Sequence, residues 1–422
     1  MNELKFDRVY AGIDLDNISH NLRCIKGLLR PGVPVMAVLK ADAYGHGARV
    51  VANFIKDEIA MAGVAGVSEA LELRKEIPGG EYYSPAFKKP VLVLGYTHRT
   101  MFRDAVENDV TLTVFDYDNA AELDAVARSL GKIAEVHVAV DTGMHRIGVT
   151  PDAKGVALVK SVAALDNIKI RGIFSHFAMA DEKHGTAAVE EQERLLGQFV
   201  DAVRRENIDP GIVHISNSAG IIRKIDGYDM VRAGIVLYGH YPSEEVDKAA
   251  LPLKPSLSVR TRVVNVAPLK KGEGISYGHT FVADKDYLVA TLAAGYADGI
   301  MRSLSGKGSV LIGGRLCPIL GRICMDQMMV DVSSAGDVRV GDEAVIFGTE
   351  RLRAGGCSEI RSEGCSKSCP DGASGGEVSE LPIEAVAALC GSFNYELMCE
   401  IGRRMNRIYF KDGVAVENVS YI

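Results

Sequence analysis

The sequence predicts an α/β fold: a (β/α)8 TIM-like barrel followed by a mainly antiparallel β domain. Three observations carry this. Between residues 33 and about 238, eight short apolar runs alternate with amphipathic segments, the pattern of successive parallel β–α units. After about residue 252 the texture changes to β-branched runs broken by glycine turns, the pattern of antiparallel strands. The length of 422 residues accommodates one barrel of about 250 residues and a smaller domain.

The eight runs are Val33–Leu39, Ile59–Val67, Val91–Leu94, Thr111–Phe115, Ala134–Val140, Ile168–Ser175, Ile212–Ile215 and Met230–Leu237. Apolar residues occupy both parities of the first run, as in a strand buried on both faces. Between the runs, Asp118–Leu130 reads as a helix capped by Asp118 and stopped by Gly131. Thr186–Glu206 reads as a helix with Leu196, Phe199, Val200 and Val203 on one face. Beyond the barrel, Ser256–Pro268, Tyr287–Leu292 and Gln327–Val332 read as strands, and Pro382–Leu389 as a short helix with proline in its first turn. The boundaries this implies are 9–252 for the barrel and 253–422 for the β domain, which a strand at 1–8 would join. Residues 351–379 are rich in Gly, Ser and Cys and lack apolar periodicity, which predicts a surface insertion.

Composition excludes several classes of function. The net charge is −7 with both signs well mixed, and neither a basic stripe for nucleic acid nor a polybasic patch for a membrane surface is present. No stretch reaches the roughly 18 apolar residues of a membrane span. The opening MNELKFDRVYAGIDLDN is charged and lacks the apolar core of a secretory signal. The cytoplasm, where thiols stay reduced, is the expected compartment. Cys24, Cys317, Cys324, Cys390 and Cys399 are expected to be unpaired. Cys357, Cys365 and Cys369 fit no common zinc spacing, so no metal site is expected.

The stretch VPVMAVLKADAYGHG at 33–47 carries the first chemical signal. Lys40 falls where the first buried strand ends, and reactive groups of parallel α/β proteins sit at the carboxyl ends of strands. Partial desolvation there lowers an amine's pKa and makes it a nucleophile able to form a Schiff base. Position alone favours the plainer reading, a lysine that snorkels out of the strand end.

Nine ordered motifs decide between these readings. AVLKADAYGHG (37–47) resembles the pyridoxal-phosphate lysine motif of bacterial alanine racemases. DTGMHRIG (141–148), GIFSHFAMADE (172–182), NSAG (217–220), RAGIVLYG (232–239), SYG (276–278), GYADG (295–299), GRICMDQ (321–327) and NYE (394–396) follow in family order.

The resemblance implies an alanine racemase that interconverts L- and D-alanine with pyridoxal 5'-phosphate as cofactor, supplying D-alanine for peptidoglycan. Lys40 would bind the cofactor covalently and then serve as one base. Tyr277 would be the base on the opposite face, tuned by His176 with Arg232 behind it, since a free phenol has a pKa near 10. Arg232 would donate to the pyridine nitrogen, because a guanidinium has only donors. Tyr44, Ser218, Tyr296 and the backbone N–H groups of Gly234 and Ile235 would hold the phosphate. Arg146 and the N–H of Met325 would bind the substrate carboxylate, and Tyr395 would narrow the pocket. Asp181, Arg302 and Arg322 match positions lining an access channel. The family further implies a homodimer with shared active sites.

One position departs from the family pattern. Where many members carry a carbamylated lysine two residues before DTGM, this chain has Ala139. A small anion, chloride foremost, is therefore expected near Arg146, on the argument that a buried cation needs a counter-charge. Ala139 also keeps open a serine or broad-specificity racemase of the same fold. A non-catalytic pyridoxal-phosphate carrier would lack the β domain and Tyr277. A decarboxylase fits the combination of Lys40, Tyr277 and Arg232 less well than proton transfer does.

Overall fold

The structure, a computed structural model, describes residues 8–349 and 380–421. It divides into two units, Asn17–Lys254 and Met1–Asp16 with Pro255–Ile422. The first described strand, β1 (Val9–Asp14), belongs to the second unit.

The Asn17–Lys254 unit is a closed parallel barrel. Its strands are β2 (Val35–Val38), β3 (Met61–Val64), β4 (Val91–Val93), β5 (Leu112–Val114), β6 (Ala134–Ala139), β7 (Ile168–Phe174), β8 (Ile212–His214) and β9 (Val231–Ala233). They form two four-stranded parallel sheets, β4-β3-β2-β9 and β5-β6-β7-β8. Parallel bridges Leu92↔Thr111 and His214↔Met230 join the sheets and close the ring. Each of the eight apolar runs contains one of these strands. Met36, Met61, Leu92 and Met230 fill part of the interior, with Leu94 packed against them. Flexible methionines suit this place, since Met36 Sδ covers Gly63, where a Cβ would come within 2.8 Å of it.

Helices cover the barrel as the 3.6-residue patterns require. The helix Thr186–Arg205 buries Leu196, Phe199, Val200 and Val203, and Gln192 besides. The helix expected from Asp118 runs instead over Tyr117–Ser129. Its cap is Asp116, whose extended backbone lets its carboxylate accept from Asn119 N at 2.9 Å.

The second unit is built on a ten-stranded sheet. Its strands are β1, β10 (Leu257–Leu269), β13 (Tyr287–Leu292), β14 (Ser309–Ile312), β15 (Arg315–Leu320), β16 (Met328–Asp331), β17 (Glu343–Thr349), β18 (Glu380–Leu381), β19 (Asn406–Lys411) and β20 (Val414–Val419). The hairpin β11 (Gly274–Ile275) and β12 (Phe281–Val282) stands apart from it. Pairing is antiparallel throughout except β1 with β19, where Tyr10 lies beside Asn406. Residues 9–16, assigned to the barrel from sequence, thus belong to the β unit. Val9, Tyr10, Ala11 and Ile13 are buried there between β10 and β19, which an isolated apolar hexapeptide does not reveal. The strand expected at 1–8 falls, apart from Arg8, outside the described residues, as do the insertion 351–379 and Cys357, Cys365 and Cys369. Cys24, Cys317, Cys324 and Cys390 are free thiols. No helix among the described residues is long and apolar enough to cross a membrane.

Candidate active site

Lys40 follows β2 by two residues and is half-buried. The chain after it makes an unusual turn. Ala41, Asp42, Ala43 and Tyr44 all have φ between 52° and 56°, one turn of left-handed helix built without glycine. L-residues pay roughly 1–2 kcal/mol each in this conformation, so the surroundings must hold it. Ala43 N donates to Leu39 O (2.8 Å), Gly45 N to Ala41 O (3.0 Å) and Gly47 N to Asp42 O (2.8 Å). Asp42 Oδ1 accepts from Ala48 N at 2.8 Å. Glu69, from the next β–α unit, accepts from Ala41 N at 2.8 Å and from Ala65 N at 2.6 Å. Tyr238 packs at a tilt against Tyr44 and His46, ring centroids 5.0 and 4.5 Å away, and donates to Val38 O.

On β9, the strand paired with β2, Arg232 is in register with Met36, is 3% exposed, and has only neutral hydrogen-bond partners. Its NH1 lies 2.9 Å from His214 Nδ1. Its NH2 donates to Ser175 O and Ile215 O, each at 2.9 Å, and lies 3.1 Å from His176 Nδ1. Burial, then the charge of Arg146, lowers its pKa to about 9. His176 is held well below the ordinary histidine value by burial first, then by the charges of Arg232, Arg146 and Lys40. Both effects disfavour its charged form; its Nδ1 faces Arg232, and its Nε2 lies 3.4 Å from Asn217 Nδ2. Lys40, Arg146, His176 and Arg232 thus lie in one electrostatic neighbourhood.

The expected phosphate ligands of the barrel also converge. Gly234 N donates to Ser218 Oγ at 3.2 Å. A Cβ on Gly234 would stand 3.1 Å from the Tyr44 hydroxyl and 3.3 Å from Ser218 Oγ. Ser218 opens the short helix Ser218–Ile222, capped by Asn217 Oδ1 on Gly220 N, and Ile235 opens the next turn. A cradle of two hydroxyls and an N–H, kept open by a glycine, has the donors and space that a phosphate requires. With a partly buried lysine and a buried guanidinium in the same unit, these residues fit pyridoxal phosphate.

The DTGMHRIG loop is folded on its own aspartate: Asp141 Oδ1 accepts from Gly143 N and His145 N. Gly148, at φ 132°, would bring a Cβ within 2.5 Å of Asp141 N. Gln192 fastens the loop to the exit of β7, donating to Thr142 Oγ1 and His176 O and accepting from Ala178 N. Ala139 is buried at the end of β6. Arg146 itself is exposed, contrary to the partial burial expected, because its loop leaves the barrel after Val140. It has no ion-pair partner among the described residues.

The remaining expected residues lie in the β unit. Tyr277, in the turn Tyr277–His279, is 68% exposed. Ser276, at φ 65°, anchors that turn by donating to Arg322 O at 2.5 Å. Tyr296 N donates to Cys324 O and Ala297 N to Met325 O, which ties the GYADG loop to GRICMDQ. Asp298, fully buried, accepts from Gly295 N and from Arg8. Tyr296 and Met325 are exposed. Tyr395, in the helix Asn394–Cys399, is half-buried against Phe393.

Sequence reasoning missed Glu69, Gln192, His137 and His214. The two histidines had one available signal, a titratable residue inside an otherwise apolar strand run. It also missed Glu182, His184 and Glu245, whose ligand atoms gather on the barrel surface.

Comparison with known proteins agrees with this arrangement. The family model for the alanine racemase N-terminal domain matches residues 13–242, and that for the alanine racemase C-terminal domain matches residues 256–362. An alanine racemase of Clostridium novyi is 39% identical over 419 residues, covering 98% of each chain. One of Desulforamulus reducens is 40% identical over 403 residues, covering 95% of this chain and 98% of the relative. Among solved structures, alanine racemase of Clostridium difficile 630 superposes with a TM-score of 0.87 at 35% identity, covering 99% of this chain and all of that one. The Bacillus anthracis alanine racemase with bound L-Ala-P gives a TM-score of 0.85 at 30% identity, covering 99% of each chain. The chain belongs to the alanine racemase family, the pyridoxal-5'-phosphate-dependent amino-acid racemases.

Proposed function

We propose that this protein interconverts L- and D-alanine with two bases on opposite faces of the substrate, supplying D-alanine for peptidoglycan in the cytoplasm. The observation that carries the proposal is the buried guanidinium of Arg232, held by neutral acceptors beside His176 in a unit that also presents Lys40 and the Tyr44–Ser218–Gly234 cradle. Tyr44, Ser218 and the N–H groups of Gly234 and Ile235 would hold the phosphate of the cofactor, with Tyr296 completing the set. Arg232 would hold its pyridine nitrogen and Lys40 its aldehyde carbon. When bound, pyridoxal phosphate draws electrons from the substrate Cα and so acidifies the Cα–H bond.

The chain's own groups then move the proton. Lys40 Nζ takes or returns it on one face, and the phenol oxygen of Tyr277 does so on the other. One base alone would have to cross the substrate plane; two need no such movement. His176 Nε2–H is the donor that stabilises the phenolate form of Tyr277, because its Nδ1 is committed to Arg232. Arg232 keeps its proton and its positive charge, and would donate a hydrogen bond to the pyridine nitrogen and so disfavour protonation there. Arg146 and the Met325 N–H bind the substrate carboxylate, and Tyr395 limits the side chain to a methyl group.

The working form is a homodimer in which Lys40 of one protomer meets Tyr277 of its partner. Support comes from the β unit, where Tyr277, Tyr296 and Met325 stand exposed together, a group suited to being covered. A chloride beside Arg146 completes the reading. With Arg146 exposed, the support for it is no longer burial but the excess of positive charge, since Lys40, Arg146 and Arg232 all act on His176.

The test is a racemisation assay of the purified protein on L-alanine, L-serine and a basic amino acid. Alanine turned over well ahead of the others is expected. Comparable turnover of serine would favour the broad-specificity reading that Ala139 suggests, and no racemisation of any would overturn the proposal. Borohydride should fix the cofactor to Lys40 in the wild type and not in Lys40→Ala.

A further inference from the structure

The barrel carries a second buried polar arrangement that the mechanism above does not use. His137 on β6 is in register with Gly172 on β7, and Phe174 on β7 is in register with His214 on β8. A Cβ on Gly172 would stand 2.4 Å from both Cε1 and Nδ1 of His137. The glycine therefore opens the space through which the His137 ring crosses β7. His137 Nδ1 ends 2.9 Å from His214 Nε2, and His214 Nδ1 lies 2.9 Å from Arg232 NH1. Phe174 stacks flat on His214, 7° from parallel, which fixes the plane of that ring. Both histidines are wholly buried.

The protons of this row follow from valence. A guanidinium nitrogen only donates, so His214 Nδ1 must accept. A neutral imidazole has one N–H, so the His214 proton lies on Nε2 and is given to His137 Nδ1. His137 then keeps its own proton on Nε2, an atom without a hydrogen-bond partner among the described residues. Burial first, and the charge of Arg232 next, keep both rings neutral. The opposite tautomer of His214 would set two donors face to face at Arg232.

We propose that His137 is a positioning residue: by accepting from His214 Nε2 it fixes the tautomer that lets His214 accept from Arg232, and so holds the guanidinium with its other nitrogen on His176. The proposal rests on the racemase reading for its catalytic consequence. The row anchors Arg232 without a carboxylate, so its charge is not spent in an ion pair and would be available to the cofactor nitrogen.

The experiment uses the purified holoenzyme with 15N-labelled histidine, together with His137→Phe and His137→Asn. Phenylalanine keeps a flat ring without an acceptor, and asparagine returns an oxygen near the place of Nδ1. In the wild type the imidazole 15N shifts should assign His214 as protonated on Nε2. His137→Phe should shift that tautomer and lower kcat by about tenfold, the effect of one lost bond in a row ending on a charge, with KM for alanine within about twofold. His137→Asn should restore both readouts to within about threefold of wild type. A wild-type His214 protonated on Nδ1 overturns the proposal even if His137→Phe does not fold. Equal losses in the two variants, or none in either, overturn it as well. A wild type with the expected tautomers but no racemisation would overturn the racemase reading and leave the row standing.

Discussion

Replacing Glu69 should loosen the cofactor while leaving the fold intact. The carboxylate grips two backbone N–H groups, Ala41 and Ala65, and so holds the left-handed turn Ala41–Tyr44 against the strand-end segment beside it. Four L-residues in that conformation store about 4–8 kcal/mol. Hydrogen bonds to a charged acceptor are worth about 1.5–3 kcal/mol each, and the half-exposed site of Glu69 reduces the pair to roughly 2–3 kcal/mol in all. Glu69→Ala removes that much from the strained geometry. The turn then relaxes and recovers part of its strain, so global stability falls by less than the lost bonds suggest. The full penalty appears when the cofactor requires Lys40 and Tyr44 in place. The dissociation constant for pyridoxal phosphate, measured by equilibrium dialysis, should rise about 30- to 150-fold at 1.4 kcal/mol per decade, with far-UV circular dichroism unchanged. Glu69→Gln should be nearly as damaging, because its amide NH2 meets one of the two N–H donors head on. If cofactor binding is unchanged in Glu69→Ala, or if Gln behaves as wild type, the clamp is not what holds the turn.

Four further outcomes are expected. Lys40→Ala and Tyr277→Phe homodimers should each be nearly inactive, and mixing them under exchange conditions should restore activity through one intact site per heterodimer; heterodimers without activity would refute shared sites. Stability should fall with acidity, because His137, at about 3, and also His176 and His214 are pushed below 6.5 by burial and then by the charge of Arg232. The unfolded chain protonates first, so this stability is complete above about pH 6.5 and is lost as pH falls, at up to about 1.4 kcal/mol per unit for His137. Urea midpoints at pH 7.5 and 5.5 measure the loss, and His137→Phe should flatten it. Exchanging chloride for a bulky anion at constant ionic strength should slow the enzyme, and Ala139→Lys, once carbamylated, should remove the dependence; equal rates in both salts would assign the counter-charge of Arg146 elsewhere. Replacing 351–379 by a short glycine–serine loop should keep the rate within a few-fold, and a larger loss with the fold intact would give that segment a role at the dimer or channel surface.

The barrel was legible because its signals are local. Each strand is an apolar run, each covering helix has a 3.6-residue face, and Lys40 ends a run. What the sequence hid depends on contacts between distant segments. Nothing in Ala41-Asp42-Ala43-Tyr44 asks for positive φ; the demand comes from Glu69, a whole β–α unit away. His137 and His214 become partners only because the strand register puts Gly172 between them. Arg146 was expected to be partly buried on the argument that it meets substrate, but exposure is set by where its loop leaves the barrel. Asp116 and Asp118 offer the same cap chemistry, and only the backbone conformation chooses between them.

The placement of β1 also sets an order of events at the ribosome. Val9–Asp14 is synthesised before the barrel, yet its partners are β10, just after the barrel, and β19, near the end of the described chain. Residues Asn17–Lys254 supply every strand of the barrel, so that unit has all it needs to close while β1 is still unpaired. At about 5–20 residues per second, the wait for β19 is on the order of tens of seconds. Throughout it, an apolar strand with both edges open hangs from a finished barrel, a template for pairing with other nascent chains. A chain stopped at Lys254 would carry that exposed strand permanently. Such a truncation should aggregate even with its barrel intact, and removing residues 1–14 from it should restore solubility.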